Sequence, residues 1–163
     1  MNLPAIYTIG VYGLSENEFF QKLLDNNIDT FCDIRRRRAV RGAQYAFVNS
    51  KRLQQKLDSF SIRYLYEAGL APTNEIRQLQ SKADEINKIP TRQREELDPD
   101  FKSAYIKKIL SRFDFELFIK DLEKLGTKKL ALFCVERYPA ACHRSLVTNK
   151  MKELYPRIKI FNL

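Results

Sequence analysis

Ala5 to Ile9 is a short apolar, partly β-branched run that stops at Gly10, and Gly13 follows three residues later. Ser15 then opens a helical pattern, and Asp29 to Ile34 is a second apolar run. Strand, helix and strand within about thirty residues make a βαβ unit, which forces parallel strands joined by a right-handed crossover. The helix between them is well specified. Ser15 can cap its first turn, Glu18 completes a capping box, and Leu14 with Phe19 has the spacing of a hydrophobic staple. Phe19, Phe20, Leu23 and Leu24 supply a buried face, and Asn26-Asn27 can end the helix.

Further along, Leu53, Leu57 and Phe60 mark a helix before a short strand, Ile62 to Leu65. Thr73 can cap a helix whose Ile76, Leu79, Ala83 and Ile86 share a face. Residues 87 to 100 are polar, contain Pro90 and Pro99, and read as a mobile loop or lid. Helices are expected over Phe101 to Leu110 and Asp114 to Leu125, ending at Gly126. Leu130 to Val135 has the continuous apolar character of a core strand, a helix follows from about Cys142 to Leu154, and Ile158 to Phe161 is a candidate last strand. The expected fold is α/β, a Rossmann-like three-layer arrangement with a mostly parallel sheet and a helical insertion around residues 70–125. At 163 residues the chain is expected to be one domain, 1–163.

In open parallel sheets, functional groups collect beyond the carboxyl ends of the strands. Those ends are Gly10 to Gly13, Asp33-Ile34-Arg35 and Cys134-Val135-Glu136. Charge is concentrated near two of them. Residues 33–66 hold nine Lys/Arg against two Asp/Glu, a net +7, and residues 128–163 hold eight against two, a net +6; the whole chain carries +9. A basic surface facing an anionic partner is the implication. Three cysteines are too few for a disulfide framework, and neither a leader pattern nor a membrane-length apolar run is present, so a cytoplasmic protein without membrane contact is expected.

Thr8-Ile9-Gly10, Asp33-Ile34-Arg35 and the closing Cys134-x-Glu136-x-x-Pro139-x-x-Cys142-His143-Arg144 resemble the hallmark pattern of the domain of unknown function 488 family. Phe47 with Asn49, Tyr64 with Gly69, and Phe101 with Tyr105 add to the likeness. Two departures stand out. The family's polar His-Ser type pair after the first glycine is Val11-Tyr12 here, and the proline after its Asp-x-Arg is replaced by Arg38-Ala39-Val40. The resemblance implies an α/β fold and a shared pocket without naming a reaction.

The closing motif carries the candidate chemistry. Cys142, His143 and Arg144 fall in the first turn of a helix, whose unpaired N–H groups and positive dipole end suit phosphate or carboxylate. Arg144 is a candidate bidentate clamp, with pairing to Glu136 or Asp33 as its structural alternative. His143 is a candidate general base or polariser, Glu136 its companion or the base itself, and Cys142 a nucleophile or an inert packed thiol. Gly10, Asp33, Arg35, Arg38 and Tyr138 are candidate anion- or substrate-binding residues. Zinc at Cys134, Cys142, His143 and Cys32 lacks the usual close spacings, so neither metal nor cofactor is expected. Arg35 to Arg38 with Arg41, near Tyr45, Phe47, Tyr64 and Tyr66, also suits a single nucleic-acid strand or a solvated loop. The leading expectation is a small metal-independent enzyme, a hydrolase or transferase, acting on a phosphorylated, nucleotide or nucleic-acid substrate. The alternative is a non-catalytic nucleic-acid- or partner-binding module with an anion pocket.

Overall fold

The computed structural model describes residues 1–90 and 92–163. Among these, five strands form one sheet, all parallel: β1 (Ala5–Ile9), β2 (Thr30–Asp33), β3 (Arg63–Tyr66), β4 (Lys129–Phe133) and β5 (Ile160–Asn162), in the order β3-β2-β4-β1-β5. Six α-helices flank it: α1 (Glu16–Asp25), α2 (Ser50–Ser59), α3 (Asn74–Ile86), α4 (Pro99–Tyr105), α5 (Phe115–Lys124) and α6 (His143–Leu154). This is an α/β fold of the Rossmann-like three-layer kind. The helical insertion is α3 to α5, between β3 and β4.

Alternation along the strands divides the core. Tyr7, Ile9, Phe31, Ala131 and Phe133 point to one face, where Phe19, Phe20 and Leu23 of α1 and Leu53 and Leu57 of α2 cover them. Ile6, Cys32, Leu130 and Leu132 point to the other, under Ile76, Tyr105, Ile119, Val147 and Met151 of the remaining helices. Each fully buried Leu, Ile or Phe contributes about 1.5–3 kcal/mol, so both layers are needed to hold the sheet.

The start of α1 matches its sequence signature. Ser15 accepts from the Glu18 N–H while Glu18 accepts from the Ser15 N–H, and Asn27 takes a left-handed φ of 53° past the helix end. Strand ends differ from expectation by one or two residues at β3 and β5. The expected helix 101–110 instead begins at Pro99 behind an Asp98 cap and passes into a π-helical turn, Ile106–Leu110. Of residues 87 to 100, expected as a mobile loop or lid, Pro99 and Asp100 open α4, and segment 88–98 is fastened across the sheet end: the Leu97 N–H donates to the Ala140 carbonyl at 2.9 Å, and Leu97 is buried. Within this segment, position 91 lies outside the described residues. No helix among the described residues is long and apolar enough to cross a membrane.

Candidate active site

The carboxyl ends of β1 and β4 meet at Gly10. A Cβ built there would lie 2.0 Å from the Glu136 carbonyl oxygen, so the β1 end and the β4–α6 turn touch only because the side chain is missing. Val11 and Tyr12 both donate their N–H to the Val135 carbonyl at 3.1 Å, locking the two ends together. Gly10 is thus a packing requirement of the turn.

Beside this junction lies a cavity of about 580 Å³, within the span of small-molecule sites, about 300–1,000 Å³. Cys134, Glu136, Cys142 and His143 line it, as does Arg35. Segment 88–98 forms another wall through Arg92, Arg94 and Leu97, and α3 supplies Arg77 and Asp84.

Cys142 caps α6 and His143 is its first residue, which places both at the positive end of the helix dipole. The His143 Nε2 lies 2.9 Å from the Ile34 carbonyl oxygen, which can only accept, so Nε2 carries a proton. Nδ1 is then left facing the Cys142 Sγ at 3.7 Å. Either a thiol donates to a neutral ring or an imidazolium donates to a thiolate, the pairing of an activated cysteine. Burial raises the Cys142 thiol, but the Cys134 hydrogen bond, His143 and Arg144 together outweigh it and hold it well below the ordinary thiol range. Cys134 goes the opposite way, pushed well up by its bond to Cys142 and by burial. Of the two thiols, Cys142 is the one that stands at the start of α6 beside the His143 ring.

The Glu136 carboxyl is raised to about 7, first by burial and then against the pull of Arg94, with Cys142 and Asp84 adding repulsion. One guanidinium serves two carboxylates: Arg94 donates to Asp84 at 2.7 Å and to Glu136 at 2.9 Å, and its Nε to the Ala141 carbonyl at 3.2 Å. Glu136 is companion to Arg94, and pairs with neither His143 nor Arg144.

Arg144 is fully buried and lies outside the cavity lining. It donates to the carbonyls of Glu136 at 2.6 Å and Arg137 at 3.2 Å, and has no carboxylate partner among the described residues. It holds the turn through the backbone, and the pairing with Glu136 or Asp33 that its sequence position suggests is not made. Asp33 is equally committed. It accepts from Arg35 Nε and Nη2 at 2.9 and 2.7 Å and from the Tyr64 hydroxyl at 2.8 Å, with no exposed surface. Arg38 stacks on Tyr66, 4.0 Å from the ring centre, and Tyr138 stands outside under Arg137; neither lines the cavity.

Cys134, Cys142 and His143 do converge, with their donor atoms within 4.8 Å of one another, an approach that linear spacing does not disclose. A structural zinc site takes four such donors. Among the described residues no fourth joins these three, and Cys32 is elsewhere in the core.

Sequence reasoning missed Arg77, Arg92 and Arg94. Arg77 looks like a solvated charge on an amphipathic helix, and Arg92 and Arg94 sit in a polar stretch with no periodicity. Only the mixture of signs in Arg92 to Glu96 distinguishes that stretch from an ordinary loop.

Neither the curated proteins nor the solved structures contain a match to this chain. A family model does match, that of the domain of unknown function DUF488, over residues 15–151. The match runs from the start of α1 through β2, β3, the helical insertion and β4 to most of α6, and the chain belongs to that family.

Proposed function

We propose that this protein is a metal-independent hydrolase or transferase that acts on a phosphorylated substrate through Cys142. One observation carries the reading: a thiol held well below its ordinary range lies in an arginine-lined cavity, beside a carboxyl at about 7. A lowered thiol suits a nucleophile, and a carboxyl near 7 suits a general acid–base group, which supports the reading.

The chemistry balances without a cofactor. The Cys142 thiolate forms an S–P bond while the ester oxygen leaves with its electron pair and takes the proton of Glu136. Water, or an acceptor hydroxyl, then gives its proton to the Glu136 carboxylate and attacks phosphorus. The S–P bond breaks and the thiolate returns. His143 steadies the thiolate through Nδ1, and Arg94 positions Glu136.

The non-catalytic anion-binding module draws on the small exposure of Cys142, 2%. Intact-protein mass spectrometry separates the two. The parent, mixed with a panel of phosphate esters in the presence of a chelator, should give turnover and a phosphorylated adduct that Cys142→Ser cannot form through sulfur. Turnover unchanged in Cys142→Ser overturns the thiol mechanism. Absence of any turnover, with iodoacetamide reacting no faster at Cys142 than at a free thiol, returns the site to binding alone.

A further inference from the structure

Arginines in this cavity fall into two groups. Arg35 is paired with Asp33, and Arg94 with Asp84 and Glu136. Arg36 and Arg37, just past β2, and Arg77, in the first turns of α3, have no carboxylate partner among the described residues, although all three line the same space. Arg35, 3% exposed, lines it too, and its Nη1 has no hydrogen-bond partner.

We propose that Arg36, Arg37 and Arg77 form a recognition site for a phosphate monoester dianion. This rests on the catalytic reading above and names the charged end of its substrate. Two elements remote in sequence bring like charges together, and no carboxylate among the described residues pairs with them. Burial, then Arg37 and Arg36, lower the pKa of Arg77, the mark of cations crowded in a half-buried place. Such an arrangement costs stability unless a ligand brings the opposite charge.

Charge balance selects the ligand. Arg36, Arg37, Arg77 and Arg92 lack carboxylate partners; with Glu136 protonated and Cys142 a thiolate, as the reaction above needs them, Arg94 offsets Asp84, and against the four stand Glu85 and Cys142. Four against two leaves +2. A phosphate monoester carries about −1.5 to −2 at neutral pH and cancels it. A carboxylate or phosphodiester, with one charge, leaves half uncancelled. Guanidinium forks also match the tetrahedral oxygens of a terminal phosphate, and they do so without a divalent cation.

Sugar phosphates, nucleoside monophosphates and 5′-phosphorylated nucleic-acid ends share this chemistry, so the test has an arm for each. Thermal shift and calorimetry are run on the full chain with a chelator present, using inorganic phosphate, a pentose 5-phosphate, a nucleoside 5′-monophosphate, and one short oligonucleotide with and without its 5′-phosphate. The monoesters should raise the melting temperature, and the oligonucleotide should do so only when phosphorylated. Arg77→Met should melt at or above the parent without ligand and bind the monoesters about tenfold more weakly or worse, as should Arg36→Ala/Arg37→Ala. Two results overturn the site: Arg77→Met melting far below the parent, or monoester affinity unchanged in both variants. Equal shifts from the two oligonucleotides overturn it as well, in favour of a phosphodiester track. Repeating the titrations on Cys142→Ser keeps the two proposals apart. Arginine-dependent binding there, with no turnover in the parent, sinks the mechanism and leaves the site; turnover with no arginine dependence does the reverse.

Discussion

The β4–α6 turn and segment 88–98 close the same cavity from opposite sides, yet they are held by different physics. The turn is locked from behind by groups that do not titrate near neutral pH: Arg144 donating to two carbonyls, Gly10 admitting the Glu136 backbone, and Val11 and Tyr12 bonded to Val135. The segment is anchored at one end by Leu97, buried and bonded to the Ala140 carbonyl, but its cavity-facing part is held chiefly by side-chain charge. Arg94 spans Asp84 and Glu136, and Arg92 lies 5.0 and 5.1 Å from the ring centres of Tyr12 and Tyr45. A rigid floor thus faces a wall whose fastening depends on the charge of Glu136.

Breaking the floor should have the largest effect. Arg144→Ala removes two hydrogen bonds from a charged donor, each worth about 1.5–3 kcal/mol, and leaves the Glu136 and Arg137 carbonyls buried beside an empty volume. A loss of about 3–6 kcal/mol is expected in urea denaturation at any pH between 5 and 8. A loss under about 1 kcal/mol, within the range of ordinary surface changes, would mean that the turn does not depend on this arginine.

The second effect is pH-linked and belongs to the wall. Glu136 is raised from 4.5 in the open chain to about 7 in the folded one, so the folded state binds the extra proton between those values. Its contribution is fully present below about pH 4.5 and is lost as pH rises through about 7. The span is worth about 3 kcal/mol at 1.36 kcal/mol per unit. Denaturation curves of the parent at pH 5 and pH 8 should differ in that direction, and Glu136→Gln should flatten the difference. Parent stability that rises between pH 5 and 8 by an amount that Glu136→Gln removes would contradict the raised carboxyl.

The same contrast explains what the sequence discloses. The floor is legible because its residues are contiguous: Pro139, Cys142, His143 and Arg144 follow a core strand, and a strand-to-helix turn in a parallel sheet can only lie at the carboxyl edge. The βαβ unit is legible for a similar reason, since the Ser15–Glu18 box and the alternating strands are local signals. Roles within the floor are less legible. Arg144 and His143 are adjacent in sequence, but only packing decides that one points to backbone carbonyls behind the turn and the other toward the cavity. Arg77 and Arg94 come from helix and loop positions whose local pattern is that of solvated charge, and only the tertiary packing of α3 and segment 88–98 brings them to the cavity that Cys142 lines. Likewise Asp33 reads as a site carboxylate at a strand end, until Arg35 and Tyr64 use up its oxygens.

The smallest expected effect sharpens the comparison most. Arg94→Ala removes three contacts, against two for Arg144→Ala, but Arg94 is 17% exposed and its acidic partners, Asp84 at 21% and Glu136 at 14%, border a cavity open to water. Water can replace much of what is lost, so about 1–2 kcal/mol is expected, between the worth of surface pairs and that of buried charged hydrogen bonds. The change in pH dependence should be clearer than the change in stability. Arg94 is the main influence pulling the Glu136 carboxyl down; without it that carboxyl rises further above 7, and the loss of stability with pH moves to higher pH. At pH 5, where Glu136 is protonated in parent and variant alike, the two should differ least, with Asp84 supplying the remainder. At pH 8 they should differ most. Arg144→Ala should show no such dependence, because its partners are carbonyls. If Arg94→Ala cost the same at both pH values, the wall would be held as the floor is, and the difference between the two regions would disappear.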